Sequence, residues 1–149
     1  MKNLFILISL FLIFCQDNFL YSQNGKRDKD YKATAAFNAG GYYEAIDLYK
    51  NAYNKIRDRN RKNEIVFKIA ECYRIIGESK KAEVWYRKVI NADLQDPIIF
   101  LRYGEMLMMG ENYGEAAEQF KRYKEFVPDD PRGETGLRSC QIAVQWIEN

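Results

Sequence analysis

The residues most able to do chemistry in this chain are notable first for what is missing among them. There is no histidine. That removes the commonest general base and the commonest metal ligand. No Ser-His-Asp or Cys-His set can form, and no HExxH zinc site exists. No GxxxxGK(S/T) phosphate loop occurs. Gly110 and Gly114, in MGENYGEA, have the look of helix-turn glycines rather than a nucleotide cradle. DLQDP lacks the alternating oxygen ligands of a calcium loop. Asp129 and Asp130 are adjacent carboxylates just before Pro131. In that position they read as a helix start rather than an acid/base pair. The expectation is a protein that is not an enzyme and has no cofactor or metal.

Cysteine chemistry is equally thin. Cys72 and Cys140 both lie inside apolar helical patterns. Two buried free thiols are expected there, since one pair makes no disulfide framework. Cys15 follows an apolar run, Leu4 to Phe14, broken only by Ser9 and preceded by Lys2. That run is shorter than the roughly 20 residues needed to cross a bilayer. Its order of parts is that of an export signal spanning residues 1–22, with cleavage between Ser22 and Gln23. Lipidation at Cys15 would need a small residue before it, and bulky Phe14 stands there.

The balance of 23 basic and 21 acidic residues argues against nucleic acid or an anionic membrane as the main partner. A basic run, Lys55, Arg57, Arg59, Arg61 and Lys62, is the strongest local charge. It could attract an acidic partner, but it reads first as a solvated helix end and loop, where cations complement a helix C-terminus.

The elements that position all these residues repeat. YYEAIDLYKNAY (42–53), SKKAEVWYRKVI (79–90) and NYGEAAEQFKRY (112–123) each carry Ala and, four residues on, an aromatic: Ala45 and Tyr49, Ala82 and Tyr86, Ala116 and Phe120. The Ala-to-Ala steps are 37 and 34 residues. Twelve positions before each Ala stands another small residue: Ala33, Ala70 and Gly104. Val66, Ile69, Ala70 and Tyr73 share one helical face, as do Phe100, Tyr103, Gly104 and Leu107. Breakers separate the paired helices at Gly40-Gly41, Gly77 and Gly110. Small residues let two antiparallel helices approach, and the aromatic fills the space beside them.

These residues resemble the tetratricopeptide-repeat (TPR) family, whose period of 34 residues the second step matches. The resemblance covers residues 31–149. It implies an all-α solenoid of three helix pairs, with repeats at 31–62, 63–96 and 97–130 after a polar lead-in at 23–30. A capping helix follows at 131–149, its apolar face made by Leu137, Cys140, Val144 and Ile147. Ile142, Ala143 and Trp146 suggest that this helix also meets something further. The longer first step is expected to lengthen the second helix of unit one, between Tyr53 and Asn63.

AIDLYKNAY, FKIAECYR, KKAEVWYRKVI and VPDDPRGETGLRSC also resemble the N-terminal TPR region of a Bacteroidetes OmpA-family, PorE-type group of type IX secretion proteins. That resemblance implies a periplasmic protein associated with the outer membrane, binding other envelope proteins. The longer members carry a β-propeller and a peptidoglycan-binding domain, and residues 1–149 match neither.

A TPR array binds through its concave face, lined by the first helix of each pair. Projection of the helical period places Thr34 and Phe37 there, then Phe67, Glu71, Arg74 and Ile75, then Leu101, Glu105, Met108 and Met109. Phe67, Leu101 and Met108 admit two readings, shared core and exposed contact. Glu71, Glu105, Phe67 and Leu101 depart from the Lys, Arg and Asn pattern of TPR domains that clamp a terminal carboxylate. The leading reading is a non-catalytic adaptor in an envelope assembly. An accessory role in glycan uptake is the alternative, with Tyr42, Tyr43 and Trp85 as the available aromatic platforms.

Overall fold

The computed structural model describes residues 30–92 and 96–148. The export segment, Cys15 and residues 23–29 of the lead-in lie outside the described residues, while Asp30, the last residue of the lead-in, is buried. Seven helices follow one another: α1 (Tyr31–Asn38), α2 (Tyr42–Lys55), α3 (Arg59–Ile75), α4 (Ser79–Asn91), α5 (Pro97–Met109), α6 (Tyr113–Phe126) and α7 (Pro131–Glu148). Each packs on its neighbour in sequence, and α7 also reaches back to α5. The described residues contain no strand, and no described helix is long and apolar enough to cross a membrane.

The pairs α1–α2, α3–α4 and α5–α6 close on their small residues. Ala33, Ala45, Ala70, Ala82, Gly104 and Ala116 are all buried. The aromatics that follow the second-helix alanines, Tyr49, Tyr86 and Phe120, are buried to 1% exposure or less. The repeat phase is therefore a packing phase. One small residue from each helix brings the backbones together, and one ring fills the space that this leaves.

The turn inside each pair is built three times in the same way. Gly40, Gly77 and Glu111 have φ of 80°, 80° and 62°. The next amide reaches back to close the helix end: Gly41 N–H to Ala36 O at 2.9 Å, Glu78 N–H to Tyr73 O at 2.9 Å, and Asn112 N–H to Leu107 O at 2.9 Å. A left-handed residue is what this closure needs, and glycine supplies it without strain. In unit three the left-handed residue is Glu111, not the Gly110 expected as the breaker.

Aspartates start the later first helices. The side chains of Asp58, Asp96 and Asp130 accept from the amides of Arg61 (2.8 Å), Ile98 (3.1 Å) and Arg132 (2.9 Å). Asp58 also explains where the longer first step goes. The expected extension of α2 does not occur. α2 stops at Lys55, Ile56 is extended and buried, and the additional residues lengthen α3 to 17 residues against 13 in α5. Asp58, in an extended conformation, caps the new helix by accepting from the Arg61 amide, which satisfies one of its free N–H groups. The second pair accordingly begins at Arg59, ahead of the boundary expected at Asn63.

This also changes the reading of the basic run. Arg59, Arg61 and Lys62 sit at a helix N-terminus, where the dipole does not favour cations. Arg61 instead pairs with Asp30 at 2.7 Å, and Lys62 lies 4.7 Å from the Tyr53 ring centre.

The terminal helix is covered over only part of its expected face. Cys140 is buried and Leu137 is half-buried, but Val144 and Ile147 are exposed. Glycines missed in the sequence make the close approach: Gly133 and Gly136 are buried against α6.

Candidate functional site

The first helices α3, α5 and α7 carry residues in register across one surface. A step of 34 residues takes Phe67, Glu71 and Arg74 to Leu101, Glu105 and Met108, and then to Thr135, Ser139 and Ile142. Leu101, Glu105 and Met108 line one open recess of about 250 Å³ together with Phe120, Pro131, Arg132, Thr135, Gly136 and Ser139. The terminal helix thus forms a wall of the groove, a role that its reading as a cap did not include. The 34-residue step carried past Asp130 is the signal that points to Thr135 and Ser139.

The projected residues do not share one environment. Leu101 is 1% exposed, so it forms the floor of the recess rather than a free contact. Phe67 is half-buried, with its ring edge-on to Tyr86 at 6.4 Å between centres. Met108 is half-buried and Met109 is 59% exposed. Phe37 stands apart at the first pair. Its ring meets Tyr42 at 5.5 Å, and Lys68 lies 5.0 Å from its centre. Ile75 is exposed.

The charges of the groove are closed into pairs. Arg74 donates to both oxygens of Glu71, at 3.1 and 2.8 Å, and the Tyr86 hydroxyl donates to the same carboxylate. Burial pushes Glu71 up, but the bonds from Arg74 and Tyr86 outweigh it and hold the carboxyl below the usual range. Arg102 of α5 adds to that pull, so the charges of α3 and α5 share one field. Arg102 also pairs with Glu105 at 3.1 Å. Tyr86 is itself pushed up, by burial and then by the Glu71 charge, and stays a neutral donor.

The third unit departs from the first two at the ring that meets the groove. The Tyr49 hydroxyl meets Thr34 Oγ1 at 3.2 Å, and the Tyr86 hydroxyl meets the equivalent Glu71. In unit three the ring is Phe120, with no hydroxyl to reach Glu105. The ring stays buried beneath the recess, and Met108 replaces the arginine that covers Glu71 one unit earlier.

Among the described residues no group of three or more His, Cys, Asp or Glu is placed to hold a metal ion. Cys72 and Cys140 are buried free thiols, and burial pushes Cys72 up to about 11. Of the aromatic platforms, Tyr42 and Trp85 are half-buried, and only Tyr43 is well exposed, at 69%.

No family model and no curated protein matches the chain. Solved structures do match. The first TPR of Spaghetti (RPAP3) bound to an HSP90 peptide superposes with TM-score 0.67 at 20% identity, covering 78% of this chain and 90% of that one. The Sgt2 TPR domain from Aspergillus fumigatus gives 0.64 at 20%, covering 82% and 80%. The Yersinia enterocolitica type III secretion chaperone SycD, in complex with a peptide of the translocator YopD, gives 0.66 at 14%, covering 80% and 94%. At these identities the likeness shows the fold, and the fold is the TPR α-solenoid.

Proposed function

We propose that this protein is a non-catalytic TPR scaffold that holds a segment of a partner protein in the groove formed by α3, α5 and α7. The observation that carries this reading is the groove itself. Glu105, paired with Arg102, lines a recess floored by Leu101 and Phe120, and the Glu71–Arg74 pair stands in register on α3. Rigid pairs cost no further ordering on binding, and an apolar recess supplies the anchor. Three structurally similar domains, two of RPAP3 and one of SycD, are solved with peptides, which supports a peptide-binding use of the fold. A carbohydrate platform is less well supported, because Tyr42 and Trp85 are half-buried.

The setting belongs to the same proposal: export to the periplasm, and work beside the outer membrane with other envelope proteins, in an assembly of the type IX secretion kind. The apolar run Leu4–Phe14 and the narrower family resemblance support it. Mass spectrometry of the protein from its native envelope should find a chain beginning near Gln23. A chain retaining Met1, or one acylated at Cys15, would refute that route.

The groove is tested by pull-down from native envelope. Phe67→Ala combined with Met108→Ala should remove partners while the chain stays folded. Reversal of Arg57, Arg59 and Arg61 to Glu should not. The opposite pattern would place the binding face on the charged edge.

A further inference from the structure

We infer that the recess between α5 and α7 takes an uncharged aliphatic or aromatic side chain from within a partner polypeptide, and not a C-terminal carboxylate. This rests on the groove reading above and specifies its ligand class.

The polar groups around the recess are already committed. Arg102 faces Glu105 at 3.1 Å. The Arg132 guanidinium is held by Asp130, at 2.6 Å to Oδ2, and by the Tyr123 hydroxyl at 3.0 Å. The hydroxyls on the α7 wall turn back into their own helix: Thr135 Oγ1 donates to Pro131 O at 2.8 Å and Ser139 Oγ to Thr135 O at 2.9 Å. A carboxylate entering here would meet the charge of Glu105, and the two nearby guanidinium charges are already neutralised, Arg102 by Glu105 and Arg132 by Asp130. Desolvating it without a partner is costly. The recess carries balanced charge, and its complement is a neutral apolar group.

The departure from the repeat points to the same occupant. Units one and two each place a tyrosine hydroxyl against the groove residue of the first helix, Thr34 or Glu71. Unit three has Phe120, lying beneath an open recess of about 250 Å³ that has room for an apolar side chain. The α7 stripe continues beyond Ser139 with Ile142 and Trp146, which are 48% and 81% exposed. An anchor in the recess would therefore be followed by more apolar surface along the groove, not by a cationic clamp.

The test is a peptide display selection on the full-length protein. Random segments are offered in two formats, one held within a display scaffold at both ends and one with a free C-terminus. The internal format should yield sequences sharing an aliphatic or aromatic anchor and poor in Asp and Glu. The best of them is synthesised with both ends blocked. The peptide SRMEEVD, which RPAP3 binds, serves as the carboxylate probe and should not bind. Phe120→Tyr restores the hydroxyl of the other two units and narrows the recess. It should weaken the blocked peptide by about tenfold, with the melting temperature nearly kept. Met108→Gln, at the half-buried rim, should act in the same direction.

Enrichment of acidic free termini, binding of SRMEEVD, or failure to enrich any internal sequence overturns the inference. So does a blocked peptide indifferent to both Phe120→Tyr and Met108→Gln. If that peptide still needs Phe67, the groove reading stands and only the recess fails. If it is also indifferent to Phe67→Ala, both fail.

Discussion

Phe120 of α6 leaves no room for a side chain on Gly136 of α7. A Cβ at Gly136 would lie 2.5 Å from Phe120 Cδ1, and a Cβ at Gly104 of α5 would lie 3.0 Å from Phe120 Cε1. One ring is thus wedged between two glycines on two helices. It joins the last pair to the terminal helix and also floors the recess.

That wedge sets an order among alanine substitutions. Gly136→Ala should cost about 1–3 kcal/mol, because the ring body and not a flexible tip must move. Gly104→Ala should cost less. Gly114→Ala, with nothing near it, should be neutral or stabilise α6 by about 0.5–1 kcal/mol. Urea unfolding of the three variants checks the order, and equal effects at Gly136 and Gly114 would contradict it.

Glu111 adopts φ of 62°, where Gly40 and Gly77 stand in the other two turns. A left-handed non-glycine residue costs about 1–2 kcal/mol. Glu111→Gly should therefore raise stability, by somewhat less than that because glycine loses more entropy on folding. Thermal unfolding should show a higher midpoint. A lower one would mean that the Glu111 side chain contributes more than its backbone costs.

The Glu71 cluster predicts acid sensitivity of a definite sign. Its carboxyl is held below the ordinary value by Arg74 and Tyr86 against the opposing effect of burial. Ionised Glu71 therefore contributes stability above about pH 4.3, the unperturbed glutamate value. That contribution is lost as pH falls through the lower folded value. Glu71→Gln should be less stable than wild type at neutral pH, with the gap closing in that acid range. A gap independent of pH would separate the effect from ionisation.

Cys72 lies in the middle of the solenoid and Cys140 in its last helix, and both are buried. Burial, then the Glu71 charge, pushes Cys72 up to about 11, so its thiolate is scarce. α7 packs chiefly on α6, with a smaller contact to α5, and an end element of a repeat array opens at lower cost than the centre. A thiol reagent under native conditions should label Cys140 before Cys72, as read by mass spectrometry. Equal rates would show that the whole array opens as one unit.

Ala82 is fully buried in the α3–α4 pair beside Tyr86. Ala82→Leu should overpack it at a cost of about 1–3 kcal/mol. An unchanged melting temperature would mean that the small-residue contact does not set the helix approach.

The phase of the helix pairs was legible in the sequence, since Ala33, Ala70, Gly104, Ala45, Ala82 and Ala116 are small where two backbones meet. That requirement is local to each pair and recurs with the repeat, so it leaves a periodic mark. The terminal helix shows where such marks end. Leu137 and Cys140 continue the period and are covered, whereas Val144 and Ile147 continue it and are exposed, because cover depends on how far α6 extends alongside. Helix propensity alone did not place the break at Ile56–Asp58. The Arg61 amide donating to the Asp58 cap decided it, a local signal of the same kind as the aspartates before Pro131 but one that has no period to read. The groove is the plainest case. The helical period put Leu101, Glu105 and Met108 on one face, but it could not separate floor from rim. That distinction arises from Phe120 beneath and α7 alongside, elements distant in sequence whose approach is set by Gly104 and Gly136. Periodicity reports which way a side chain points. Only the packed array determines what stands in front of it.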